Sequence, residues 1–458
     1  MQAKLGIDGK AFRERRIVPV VWDTRQMINP HILLMGTSGS GKTYTLRKIV
    51  RESLDSAEYP VRFHVFDVHN DLEIEGASSV IFSEQTDYGI NPLVIDQDPH
   101  EGGVRKRIQA LIGALNRTSS RLGGQQEATM RLLIQQLYEV KGFIQDDPET
   151  WAPGGLTPRG KPKTFPTLGE LHLYAQSLKR QIDTLMTVNQ DLSDQKFRAM
   201  ARRYRKLAQK NQKGLLDDKE GDKLEELRTN MVYAYGQRLN QLATPDEGDQ
   251  LEELLQFEDH LKQLPSLINR LGNLSATGVF KDSAPPFDPD CPAWRYNIKP
   301  LSEDEKKLFI TFKLEEIIRR NFAQGETDYI REMVVLDEAH LFMDDDPLNP
   351  INKIAKEGRK FGLGLICASQ SPRHFSEDFL SLVGAKIVLK IDDTFWQLLN
   401  SRMRIPITVL KAIVARETMI AQLKRTNESR ERPGDFRLII IPKDGAAAET
   451  EEKEVSNG

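Results

Sequence analysis

Gly36-Thr37-Ser38-Gly39-Ser40-Gly41-Lys42-Thr43 fills every required place of the phosphate-cradling pattern G-x-x-x-x-G-K-[ST]. Glycines in such a loop let backbone N–H groups turn inward around phosphate oxygens, where the N-terminus of a following helix also favours negative charge. Lys42 is placed to reach the β- and γ-phosphates, the Thr43 hydroxyl to ligate Mg²⁺, and Tyr44 opens the helix behind them. A second constellation is Val334-Val335-Leu336-Asp337-Glu338, an apolar strand ending in two carboxylates. Asp337 suits the same Mg²⁺, opposite Thr43, and Glu338 suits general-base activation of a water. Together these residues predict binding and hydrolysis of a nucleoside triphosphate. The chain has no Asn-Lys-x-Asp string for reading guanine, which favours ATP.

These side chains need strands and helices to hold them. His31 to Met35 is short and apolar and reads as a strand, whereas Tyr44 to Val50 has no Gly or Pro and reads as a helix. Further strand-like runs lie at 17–22, 61–66, 79–82, 333–336, 363–369, 386–389 and 436–441, which predicts an α/β fold with a mostly parallel sheet. Between them, 103–142 and 167–272 are rich in Leu, Gln, Arg, Lys and Glu and read as helices. The expected organisation is a core in two parts, 1–100 and 291–444, interrupted by an all-helical insert at 101–290. The run Pro285 to Asp290 marks the return, and an Ala/Glu-rich tail at 445–458 is expected to be disordered.

The 458 residues carry a formal net charge of −3, so any nucleic-acid contact must be local rather than spread over the whole surface. No apolar run approaches the length of a membrane span, the N-terminus lacks a secretory apolar region, and Cys291 and Cys367 do not suggest a disulfide framework. A cytoplasmic setting is expected. The helix at 196–210 is basic, with Arg202, Arg203, Arg205 and Lys206, and an acidic stretch follows at 217–222. It reads either as a nucleic-acid-contacting face or as one arm of a solvated hairpin whose charges cancel. Asp67 and His69, at the end of a strand, read either as part of the ligand crevice or as a satisfied turn.

The chain resembles the FtsK/HerA-type P-loop ATPases, a group that includes coupling and assembly ATPases of type IV secretion. The resemblance rests on Pro30 to Leu34 leading into the phosphate loop, on Asp67-Val68-His69-Asn70-Asp71, on Asn91-Pro92-Leu93, and on Glu357 to Gly362 followed by Leu363 to Gln370. Asp337-Glu338-Ala339-His340 also spells a helicase box. The intervening helical stretch and Ala368-Ser369-Gln370-Ser371 set that class aside. The HerA resemblance implies a RecA-like core and a homo-oligomeric, hexameric ring driven by ATP and Mg²⁺. It further implies that Arg359 is an arginine finger offered to the neighbouring subunit and that Gln370 senses the γ-phosphate. The alternative, read from its own surroundings, is that Arg359 is a surface helix residue. The implied partner is double-stranded DNA moved through the ring. The alternatives are a secretion or conjugation ATPase, or a ring scaffold that activates a nuclease or other defence effector.

Overall fold

The structure, a computed structural model, describes residues 1–100, 102–118, 120–157, 160–188, 195–212, 216–239, 260, 262–426 and 436–442. The expected tail at 445–458 lies outside them. The chain divides into two compact units, Met1–Ile90 with Thr277–Gly458, and Asn91–Ala276.

Among the described residues the first unit holds one sheet: β1 (Gln2–Asp8), β2 (Pro19–Asp23), β3 (Ile32–Met35), β4 (Arg62–Asp67), β5 (Ser78–Ile81), β6 (Ala293–Asn297), β7 (Glu332–Leu336), β8 (Leu363–Ser369), β9 (Ala385–Val388), β10 (Thr418–Leu423) and β11 (Arg437–Ile440). Their order is β2-β1-β11-β10-β9-β3-β8-β7-β4-β6-β5. From β9 to β5 every neighbouring pair is parallel. The wing from β10 to β2 is antiparallel. All residues of β3, β8 and β9 are buried, as central parallel strands covered on both faces require. The mostly parallel α/β sheet expected from the spacing of the apolar runs is therefore the observed fold.

Register decides what meets at the edge of the sheet. Met35 lies level with Ser369 of β8 and Val388 of β9, and Leu336 lies level with Phe66 of β4 and Cys367 of β8. Gly36, Asp67, Asp337 and Gln370 therefore step off the same carboxyl edge within a residue or two of one another. In open α/β sheets that edge is where ligands bind.

The helices in chain order begin with α1 (Gly9–Arg13) and α2 (Lys42–Asp55) in the first unit. The second unit contains α3 (Val104–Thr118), α4 (Gly124–Val140), α5 (Leu168–Val188), α6 (Gln195–Gln212), α7 (Asp218–Leu239) and α8 (Leu264–Ala276). Its core is leucine-rich: Leu111, Leu115, Leu133, Leu171, Leu267 and Leu271 are almost wholly buried. Helices α6 and α7 pack side by side, with Lys210 and Glu220 paired at 2.6 Å. After the return come α9 (Glu303–Ala323), α10 (Pro350–Glu357), α11 (Glu377–Leu382), α12 (Trp396–Met403) and α13 (Ile407–Lys411). A capping box between Ser302 and Glu305 starts α9, whose buried Phe309 packs on Phe66, Phe82 and Tyr296 of the sheet. Among the described residues no helix is long and apolar enough to cross a membrane.

Candidate nucleotide site

The phosphate loop is held from both sides by its neighbouring strands. Gly36 N donates to Ser369 O (3.1 Å) and Thr37 N to Lys390 O (2.9 Å). A Cβ on Gly36 would lie 2.5 Å from Ser40 Oγ and 2.9 Å from Leu389 Cβ, so the loop can pass there only as glycine. Gly39 (φ 75°) and Gly41 (φ 104°) take left-handed backbone, and Gly41 caps α2, which begins at Lys42. The first free N–H groups of a 14-residue helix thus face the cleft.

That cleft, of about 820 Å³, is lined by Thr37 to Thr45, His69, Asp71, Asp337, Glu338, Gln370, Arg416, Ile441 and Pro442. It gathers Thr37, Ser38, Gly39, Ser40, Gly41, Lys42, Thr43 and Tyr44 from the loop, and Asp337, Glu338 and Gln370 from the neighbouring strand ends. Glu338 is 4 % exposed and adopts left-handed backbone (φ 51°, ψ 44°), which turns its side chain away from that of Asp337. Its Oε1 accepts a hydrogen bond from Gln370 Nε2 (2.6 Å) and lies 3.6 Å from Lys42 Nζ. Its Oε2 is buried and lies 3.2 Å from His340 Nδ1. Burial opposes ionisation of Glu338, yet His340, Gln370 and Lys42 outweigh it and hold the carboxyl at about 2. Asp337 behaves oppositely, because burial, Glu338 and Asp71 push it up to about 6.

One carboxylate is therefore held as a fixed anion, the state that a general base needs. The other is a buried acid whose ionised form calls for a nearby cation, as a Mg²⁺ ligand does. The residues present fit a nucleoside triphosphate with Mg²⁺ at Thr43 and Asp337.

Asp67 is not among the residues lining the cleft. It is fully buried, and its carboxylate accepts backbone N–H bonds from His69, Asn70, Asp71 and Leu72 at 2.7 to 3.3 Å. Arg295 of β6 grips its Oδ2 through Nε (2.9 Å) and Nη2 (2.6 Å), and Asn70 stands in left-handed backbone (φ 63°). Asp67 is thus the staple of a turn that carries His69 and Asp71 into the cleft. Asp67→Ala would strand a buried guanidinium and is expected to cost about 3–5 kcal/mol, read as a lower midpoint in urea. A midpoint within error of wild type would show that the pair does not hold the turn.

Arg359 does not join the cleft. It is exposed in the turn before β8, at the amino edge of the parallel strands. Burial pushes His31, at the start of β3, down to about 4, and the nearby charge of Arg359 adds to that. Crossing from there to Gln370 takes the length of β8, roughly 20 Å at 3.3 Å per residue. Arg359 therefore serves no phosphate in its own cleft. Arg416 does line the cleft, and sequence reading missed it.

Residues 9–122 match the family described as the central domain of the helicase HerA. The DNA double-strand break repair helicase HerA of Sulfolobus acidocaldarius is 45 % identical over 104 residues, 21 % of this chain and 21 % of that protein. The corresponding helicase of Pyrococcus furiosus is 43 % identical over 63 residues, 13 % of this chain and 11 % of its own length. Over residues 9–122 the chain is therefore similar to the central domain of the HerA helicases. Its matches span about a fifth or less of these curated HerA relatives. The fold is shared more widely. VirB4 of Thermoanaerobacter pseudethanolicus superposes with a TM-score of 0.59 at 15 % identity, covering 98 % of this chain and 97 % of that one. The plasmid coupling protein TrwB in complex with ADP and Mg²⁺ gives 0.51 at 12 % identity, covering 96 % and 93 %. These likenesses confirm the RecA-like core around the HerA-type loop.

Proposed function

We propose that the chain is the subunit of a homo-oligomeric, hexameric ring that hydrolyses ATP to move double-stranded DNA, and that it works in the cytoplasm. The observation that carries this reading is the arrangement around Glu338. A buried anion stands beside Lys42 and Gln370, while the arginine suited to neutralise transition-state charge lies across the sheet. A site completed from outside is one that works between subunits. Backbone N–H groups of the loop and Lys42 hold the phosphates, and Mg²⁺ held by Thr43 and Asp337 supplies charge neutralisation when bound. Glu338 orients the attacking water and accepts its proton, and Gln370 fixes its Oε1. The HerA relatives named for double-strand break repair support DNA as the polymer.

The test is ATP turnover with and without duplex DNA, alongside the mass of the assembly in solution. Turnover raised severalfold by duplex DNA in an assembly of six subunits is expected. Turnover indifferent to DNA would sink the translocase reading and favour an energiser of protein secretion.

The basic helix α6 is a separate question. Arg202, Arg203 and Lys206 are exposed, but α7 packs alongside with Glu220, Glu225 and Glu226. Replacing Arg202, Arg203, Arg205 and Lys206 by Gln is expected to leave DNA affinity and its salt dependence unchanged. If these residues did touch phosphates, the slope of log K against log salt would become shallower by about 0.9 for each phosphate no longer neutralised.

A further inference from the structure

Arg416 stands in the turn between α13 and β10, and the turn is tightly bonded. Glu417 N and Thr418 N both donate to Val414 O, Val414 N donates to Thr418 Oγ1 (2.8 Å), and Ile441 N donates to Glu417 O (2.8 Å). Because β10 runs antiparallel to β9, its first residues lie at the carboxyl edge of the parallel strands, beside the phosphate loop. Arg416 itself takes left-handed backbone, φ 63°, a strained conformation for a side chain of this size. Its Nε donates to the carbonyl of Gly39 at 3.1 Å, and its Cγ would be 3.9 Å from a Cβ on Gly41.

Among the described residues the guanidinium makes no other hydrogen bond or ion pair. Glu338, a carboxylate of the same cleft, already holds Gln370 and Lys42. An exposed arginine held by one neutral carbonyl gains little more than the rotamer freedom it gives up. A left-handed backbone spent on so weak a contact makes physical sense if the remaining four N–H groups meet an anion. The anion for which this cleft is shaped is a polyphosphate.

We propose that Arg416 is a phosphate-binding arginine supplied in cis, reaching over the loop from the turn before β10 to the phosphates beyond the first, while its Nε steadies Gly39. The inference rests on the nucleotide reading of the cleft. It gives the site two arginines with separate duties. Arg416 belongs to the subunit that holds the nucleotide and acts on ground-state affinity. Arg359 lies at the opposite edge of the sheet and is suited to the transition state of a neighbour.

Affinities of ATP, ADP and AMP, each with Mg²⁺, measured by calorimetry on the full chain, decide the matter. Arg416→Ala is expected to weaken ATP and ADP binding about 10- to 100-fold, the effect of one charge-assisted hydrogen bond, and to leave AMP within about twofold. In turnover the loss should appear in KM, with kcat little changed. Arg416→Lys, which keeps the charge and loses the fork, should recover part of the ATP affinity. Should the alanine variant fold poorly, Arg416→Gly removes the same side chain and accepts the left-handed backbone without strain. Equal losses for ATP, ADP and AMP, or no loss at all, would overturn the phosphate role. A wild-type chain that binds ATP no better than AMP would overturn the nucleotide reading and this inference with it.

Discussion

A Glu338→Gln chain is expected to bind ATP at least as tightly as wild type and to hydrolyse it about 10²–10⁴-fold more slowly, the usual contribution of a positioned general base. The sign of the binding change follows from Lys42. That ammonium now lies 3.6 Å from Glu338 Oε1, and a neutral glutamine leaves its charge free for the phosphates. Lys42→Ala is the complementary case. It removes the cation and is expected to abolish binding, although Glu338, Gln370 and Asp337 stay in place. Equilibrium binding and single-turnover hydrolysis on the two variants separate holding the phosphates from activating water. Because the Glu338 carboxyl is held at about 2, its ionisation sets no acid limb on the wild-type rate above about pH 4. Near-normal hydrolysis by Glu338→Gln would assign the water to another cleft residue, and Asp71 would then be the first carboxylate to replace.

Much of this site is legible in sequence because its demands are local. A loop whose Gly39 and Gly41 take positive φ, whose Gly36 touches Ser40, and which must follow a fully buried strand leaves few residue choices open. The strands β3, β4, β7, β8 and β9 are equally plain, since central parallel strands must be apolar on both faces. What stayed hidden depends on partners far along the chain. Strand β6 carries Arg295 and Asn297, polar residues that no apolar-run criterion selects. They are buried because Asp67 and Asn70, more than two hundred residues earlier, satisfy them. Strands β1 and β10 lie in the antiparallel wing, where Lys4 and Gln422 interrupt the apolar run. Asp67 was visible as a polar strand end, but only the bonds to four successive backbone N–H groups show that it builds the turn, while His69 and Asp71 reach the cleft. Arg416 has no motif around it. Its relation to Gly39 spans 377 residues and exists only in three dimensions.

Arg359→Ala is expected to bind ATP, assemble and hydrolyse very slowly. A guanidinium that meets a γ-phosphate mainly in the transition state contributes on the order of 10³–10⁵ in rate, and little to ground-state affinity. The position of Arg359 makes the expectation specific. At the amino edge of the sheet, roughly 20 Å along β8 from Gln370, it has no path to the phosphate loop of its own chain without unfolding the core between. Any effect on chemistry must therefore cross a subunit boundary, and mixing reads this directly. A subunit with Arg359→Ala keeps its loop and Glu338, whereas a subunit with Lys42→Ala keeps its arginine. In a mixed ring some boundaries pair the intact cleft of the first with the intact arginine of the second, so ATP hydrolysis recovered from two inactive proteins would place Arg359 in trans. If mixed rings form and recover nothing, a linked dimer with a single competent boundary separates the two remaining causes. Activity of that dimer would mean that the ring fires only through consecutive intact sites. Activity confined to dimers whose cleft and arginine lie in the same chain would overturn the assignment, and with it the ring as the unit of catalysis.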